Sequence, residues 1–191
     1  MPTVGHTVRG RGIIRGSNMA TEKNIAILVE NDYQDHELWY PYYRFKEEGF
    51  TVVTVGTGSA RVYKSKYGYP IKAQLSPGAV SADNFDAVVI PGGWAPDRLR
   101  QNARLMEFVR QMYDEGKVVA AICHAGWVLI SAGILKGKKA TSFIAIKDDM
   151  LAAGCNWVDE ETVVDGNLIT ARRPDDLPRF VRAIIDALHA G

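Results

Sequence analysis

The sequence predicts an α/β protein, with a mainly parallel sheet covered by helices on both faces. Three observations predict it. Short apolar runs such as Ile25 to Val29 and Val118 to Ile122 have the composition of strands buried on both faces. Longer helical patterns such as Asp35 to Glu48 and Ala103 to Glu115 alternate with them, which is the order of a sheet packed between helices. The length of 191 residues suits one domain with a substantial core, and neither a repeat nor an internal linker interrupts the alternation.

The elements follow in order from Asn24. Ile25 to Val29 is a short buried strand. Asp35 to Glu48 is helical, with Leu38, Tyr42 and Phe45 spaced for one face and Pro41 in an early turn or at a kink. Gly49 ends that helix, and Phe50 to Val55 is the second strand. Arg61 to Leu75 carries short β-patterned pieces around Tyr67-Gly68-Tyr69-Pro70, read as a hairpin laid over the sheet edge. Phe85 to Ile90 is a buried strand closed by Pro91-Gly92-Gly93. Ala103 to Glu115 is a helix stopped by Gly116, before the strand Val118 to Ile122. Beyond the next helix, Lys139 to Phe143 reads as a strand and Ile146 to Ala153 as a short helix. Thr162 to Thr170 reads as a hairpin turning at Asp165-Gly166, and Pro174 to Ala190 as the last helix. The sum is a flavodoxin-like three-layer sandwich, in which ligands bind at the carboxyl ends of the strands.

Hydrophobic residues make up 47% and charged residues 24%, as in a globular protein, and the formal net charge of +1 argues against an electrostatic nucleic-acid or membrane partner. No apolar run approaches the roughly 20 residues of a membrane helix. Two cysteines provide no disulfide framework, so a reducing, cytoplasmic setting is expected. Residues 1–20 differ from the rest: Arg9, Arg11 and Arg15 stand among glycines with no acidic residue. They read as a flexible basic tail, or as sequence preceding a domain that starts at Met19, with the domain proper spanning 21–191. No apolar core of a secretory signal is present in them.

Cys123 and His124 stand where the Val118 to Ile122 strand should turn into a helix. A side chain at such a junction faces the unpaired N–H groups of the helix start, which favour thiolate, the reactive form of cysteine. Ala121 and Ala125 are small enough for the tight turn of a nucleophile elbow. The alternative is a buried structural thiol, which is also the expected role of Cys155. Pro91-Gly92-Gly93 ends a neighbouring strand and is either an ordinary strand-ending turn or, paired with Cys123, a turn whose glycines let backbone N–H groups face inward as an oxyanion hole. It is neither a dinucleotide fingerprint nor a Walker A loop.

The loop from Glu30 to Glu37 follows the first strand and holds four carboxylates. Asp35 is a natural N-cap, and His36 is expected to be partly exposed rather than a ligand. A surface cluster capping the helix explains most of these carboxylates; the alternative for Glu37, in the first helical turn, is to point into the site beside Cys123, where a carboxyl next to a thiolate is protonated and donates a hydrogen bond to sulfur. His124 is not automatically the base for Cys123, because adjacent side chains diverge. It needs a third group to orient it, and Asp97 is a candidate from the same chain or a neighbour. No His and Cys lie at ligand spacing for a metal, and no cofactor is expected.

Ala-Ile-Cys-His at 121–124, Pro-Gly-Gly at 91–93, Asp-His-Glu-Leu-Trp-Tyr-Pro at 35–41 and Asp165-Gly166-Asn167 together resemble the ThiJ/PfpI superfamily, nearest its intracellular protease I branch. The similarity runs from about Asn24 to Ala190. It implies a cysteine nucleophile at Cys123, an acidic partner at Glu37 and an oxyanion hole from the Gly93 and His124 backbone, with Gly92 beside it. In the protease branch His124 would be completed by an acidic residue of an adjacent subunit, and the matching position is Asp97, one methylene shorter than the family's Glu. Gln34 stands where that branch often has Glu, Phe143 where it has Tyr, and Ala125-Gly126 replaces Gly-Pro. Each loss of a polar group near the thiol bears on peptidase activity. Class I glutamine amidotransferases share the sheet and elbow but need a late His-x-Glu, and His189 is followed by Ala190 and Gly191.

The resemblance implies a stress-response protein in which Cys123 acts on small carbonyl electrophiles or their adducts on protein side chains, as a deglycase or glyoxalase. Two alternatives stand beside it: a redox sensor or chaperone in which Cys123 is oxidised, and a peptidase active only as an oligomer. A homodimer or larger homo-oligomer is implied, with Trp39, Tyr40, Tyr42 and Tyr43 as contact residues or as core.

Overall fold

A computed structural model describes residues 23–191. The basic segment 1–20, and the expected domain boundary at 21, lie outside the described residues. Among these, the central sheet has six strands in the order β2-β1-β5-β6-β10-β9. They are β1 (Asn24–Val29), β2 (Thr51–Gly56), β5 (Ala87–Ile90), β6 (Val118–Ile122), β9 (Thr162–Asp165) and β10 (Leu168–Ala171). All neighbours pair in parallel except β9 with β10, the predicted hairpin. The central strands are apolar on both faces, and β5 and β6 are buried at every position. The sheet is sandwiched by helices that contribute Leu38, Phe45, Leu105, Val109, Phe180 and Ile184 to the core.

Those helices are α1 (Asp35–Glu47), α3 (Ala103–Asp114), α4 (Gly126–Ala132) and α6 (Leu177–Ala190). Pro41 sits buried inside α1, and its cyclised nitrogen leaves the Glu37 carbonyl without its intrahelical donor. The chain leaves the β1 carboxyl end toward β2 on one side, while β5 lies on the other. The strand order reverses there, so β1, β5 and β6 open a crevice at their carboxyl ends.

Several local expectations change. The cap of α1 is Gln34, whose Oε1 accepts from His36 N at 2.6 Å and from Glu37 N at 3.4 Å; Asp35, expected there, is the first helical residue. A short helix, α2 (Ala95–Leu99), follows the glycine turn with Pro96 in its first turn, a segment too short to show periodicity. The strand expected over Lys139 to Phe143 shrinks to β7 (Lys139–Ala140), paired in parallel with β8 (Asn156–Trp157), which lacked any strand pattern. Thr141 is diverted because its amide bonds the Thr170 hydroxyl, and the Phe143 amide bonds the Cys123 carbonyl. The expected short helix is α5 (Lys147–Ala152), after a 3-10 turn at Ile144–Ile146. The edge hairpin is β3 (Val62–Lys64) with β4 (Pro70–Lys72), tied to the β2 edge by a Val55–Leu75 bridge.

Candidate active site

Cys123 opens the 3-10 turn Cys123–Ala125 that leads from β6 into α4, and its φ is +63°. A non-glycine residue in this left-handed region is strained, and the sheet, the turn and α4 together impose it. The conformation lifts the side chain out of the strand line, as in a nucleophile elbow. α4 can follow so closely because Gly126 carries no side chain: a Cβ there would lie 2.7 Å from Met150 Sδ and 2.8 Å from Ile146 Cδ1.

Glu37 comes to the sulfur from α1 and is fully buried. Its Oε2 accepts the Gly92 amide at 2.7 Å. Its other oxygen is buried without a hydrogen bond of good geometry, and the carboxyl as a whole lies against the Cys123 thiol. Burial pushes the Glu37 pKa up to about 7, against the Gly92 N–H, the thiol and the positive charge of Lys66, which favour the ionised form. Gly92 must be glycine here, because a Cβ would sit 2.6 Å from Glu37 Oε2 and 2.7 Å from Cys123 Cβ.

The thiol departs from expectation. Its pKa is pushed up to about 12, first by burial and then by the negative charge of Glu37, against the backbone amides of His124 and Gly93, which favour the thiolate. The short turn at the helix start provides those amides but does not outweigh burial, since Cys123 is only 7% exposed. Thiol and carboxyl form one coupled pair, and the Glu37 contribution to the thiol vanishes once Glu37 is protonated.

His124 also departs from expectation. Its ring does not diverge from its neighbour: Nδ1 lies 3.2 Å from Cys123 Sγ, because the left-handed turn brings the two side chains together. The ring is enclosed by Trp94, Trp127 and Phe143, with centroids 5.0, 5.2 and 5.0 Å away. Burial, and secondarily the Lys66 charge, lower its pKa, so the imidazole is neutral near pH 7 and can accept a proton. Trp127 is itself held by Asp149, to which its Nε1 donates at 2.8 Å. Asp97 is exposed on α2, and within the described residues of one chain no hydrogen bond or ion pair joins it to His124.

Two of the remaining loop carboxylates are otherwise engaged, while Asp35 Oδ2 is buried without a partner. Glu30 is buried and accepts from the Thr57 and Ser59 hydroxyls, and Asp32 pairs with Arg98 at 2.7 Å. His36 is exposed. Cys155 is buried, and its thiol donates to the Lys138 carbonyl at 3.4 Å. Among the described residues no three His, Cys, Asp or Glu side chains are placed to hold a metal. Sequence reasoning missed Lys66 and the Trp94 and Trp127 walls, which come from a hairpin turn, the turn before α2, and α4, which only the fold brings together.

A cysteine-bearing elbow on a doubly wound sheet defines a broad class, and comparison with known proteins narrows it. Residues 23–187 match the DJ-1/PfpI family, and the chain belongs to that family. It is 48% identical over 164 residues to deglycase PfpI of Pyrococcus furiosus, covering 86% of this chain and 98% of that protein. General stress protein 18 of Bacillus subtilis is 38% identical over 162 residues, covering 84% and 94%. Among solved structures, a two-domain protein of Anabaena variabilis with DJ-1/ThiJ/PfpI-like and ferritin-like domains superposes with a TM-score of 0.86 at 46% identity. That match covers 88% of this chain and 48% of the other.

Proposed function

We propose that the protein is a cysteine-dependent hydrolase of the deglycase or glyoxalase type, acting on small carbonyl electrophiles or their adducts. The observation that carries this reading is the convergence on one sulfur of Glu37, His124 Nδ1 and the amides of Gly93 and His124. The 48% identity to a protein named deglycase supports it. In this reading neutral His124 takes the thiol proton, and sulfur forms a C–S bond with the carbonyl carbon as the C=O π pair moves to oxygen. The Glu37 carboxyl gives that oxygen a proton. With an aldehyde the product is a hemithioacetal. With an acyl adduct the oxygen returns its proton to Glu37 as the C=O re-forms, the bond to the leaving group breaks, the leaving group departs with the proton held by His124, and water releases the acyl group from sulfur. The Gly93 and His124 amides, which face the sulfur, are the donors nearest to the developing oxyanion.

The proposed setting is the cytoplasm under carbonyl stress, in a homo-oligomer. Purified protein is given methylglyoxal-modified N-acetylcysteine and N-acetyllysine beside a Cys123→Ala variant. The expected result is turnover by the wild type alone; equal rates would sink the enzymatic reading. A second reading, oxidation of Cys123, is favoured by the same donors, which would also hold sulfinate oxygens. Mild peroxide with intact-mass analysis separates the two, since a sensor gains oxygen on Cys123 and shows no turnover.

A further inference from the structure

Lys66 is a cation that the reaction sketched above does not use. It lies in the turn between β3 and β4, and its side chain is exposed. Backbone pairing fixes that turn to the site. Asp32 N donates to Lys64 O at 2.7 Å and Lys66 N donates to Tyr33 O at 2.9 Å, a parallel bridge between Tyr33 and Ser65. On its other side Tyr33 bridges Gly93, through Trp94 N to Asp32 O at 2.9 Å and Gln34 N to Gly92 O at 3.2 Å. Three short segments, 64–66, 32–34 and 92–94, thus form one ladder, and its last member provides the Gly93 amide that faces Cys123. The turn itself is pinned: Ser65 Oγ accepts Tyr67 N at 3.2 Å and Tyr69 N at 2.9 Å, and the Tyr33 hydroxyl donates to Tyr69 O at 2.7 Å.

The charge held this way acts on the site. Lys66 is the one cation whose field reaches both Glu37 and His124 among the described residues. No carboxylate is paired with it among those residues, whereas the nearby Arg98 is paired with Asp32. An exposed, unpaired ammonium on a turn whose backbone is laddered to the segment carrying the Gly93 amide, with its charge felt by the buried Glu37 carboxyl, is the chemistry that receives an anion next to the reacting atom.

We propose that Lys66 is the anion-selecting residue of the Cys123 site, so that electrophiles bearing a carboxylate beside the reacting carbon are favoured over neutral ones of the same size. Glyoxylate and carboxylate-bearing adducts are the substrate class this implies. The inference about turnover rests on the function proposed above; the charge selection does not.

The test therefore reads selection first without turnover. Second-order rates for alkylation of Cys123 by iodoacetate and by iodoacetamide are measured in the full chain, with peptide mass spectrometry separating Cys123 from Cys155. Each reagent attaches its carbon to sulfur and releases iodide, and the thiolate fraction cancels in the ratio of the two rates. Lys66→Met is expected to lower the iodoacetate-to-iodoacetamide ratio roughly tenfold, and Lys66→Arg to keep it. An unchanged ratio in Lys66→Met, or an equal loss in Lys66→Arg, overturns the proposal. Protection of Cys123 from iodoacetamide by glyoxylate and by methylglyoxal, through reversible hemithioacetal formation, is then compared, and Lys66→Met should weaken protection by glyoxylate selectively. If the wild type turns over no methylglyoxal adduct, the hydrolase reading fails while the alkylation ratio still decides the role of Lys66.

Discussion

Glu37 Oε2 accepts the Gly92 amide at 2.7 Å, and the fully buried carboxyl so held lies against the Cys123 thiol. One backbone N–H thereby fixes the orientation of a carboxyl that water cannot reach. Burial raises both groups above their ordinary values, to about 7 for Glu37 and about 12 for Cys123. The pair resists carrying two negative charges at once.

Stability should fall with pH because of Glu37. Its folded pKa of about 7 exceeds the ordinary value of 4.5, so the folded state holds the proton more tightly than the unfolded chain. The contribution is complete below pH 4.5 and is lost as pH rises through 7, a difference of about 3 kcal/mol before structural relaxation. Glu37→Gln should melt above the wild type at pH 8, with the advantage shrinking toward pH 4.5. Thermal melts across that range would contradict this by giving a constant offset.

Removing the carboxyl should also simplify the thiol. In the wild type the ionisation at high pH is that of a thiol beside a carboxylate, and in Glu37→Gln that charge is gone. The pH profile of iodoacetamide alkylation at Cys123 should move to lower pH at its alkaline end and become a single step. A profile unmoved by the substitution would mean that the two groups do not share their protons.

The left-handed backbone at Cys123 makes glycine the better replacement for stability. At φ +63° an L-residue costs roughly 1–2 kcal/mol that glycine escapes. Cys123→Gly should therefore be more stable than Cys123→Ala by about 1 kcal/mol, with part of the gain offset by glycine's greater freedom when unfolded. Urea titration of the two variants gives the difference directly.

Gly92 should tolerate no side chain. In Gly92→Ala the new Cβ meets Glu37 Oε2, Cys123 Cβ and the Ile122 carbonyl at 2.6, 2.7 and 2.9 Å. A loss of roughly 1–3 kcal/mol is expected, together with slower alkylation of Cys123 as the Glu37 carboxyl is displaced. Wild-type stability in this variant would mean that the glycine turn yields easily.

Much of the fold was legible because buried parallel strands and amphipathic helices leave long periodic signals. Ile25 to Val29, Val118 to Ile122 and the Asp165-Gly166 hairpin stand where their patterns put them. The failures are short elements fixed by distant partners: α2, and β8, whose pairing with β7 joins residues too few to show a period. Asp35 yielded its cap role to Gln34, because the longer side chain reaches back over the first turn. At the site, the strand ends brought Glu37 and the glycine turn to Cys123, a convergence legible from topology alone. The His124 ring, the height of the thiol pKa and the position of Lys66 depend on a left-handed turn, on burial and on a hairpin docked by backbone pairing. None of these leaves a pattern in the chain.

The measurement that bears most directly on the central claim is acid quenching during turnover of a methylglyoxal adduct, followed by peptide mapping at low pH. The expected result is a carbonyl-derived mass gain on Cys123, absent from Cys155, and no turnover in Cys123→Ala. Turnover that persists in Cys123→Ala, or that proceeds in the wild type while Cys123 stays unmodified, would contradict it.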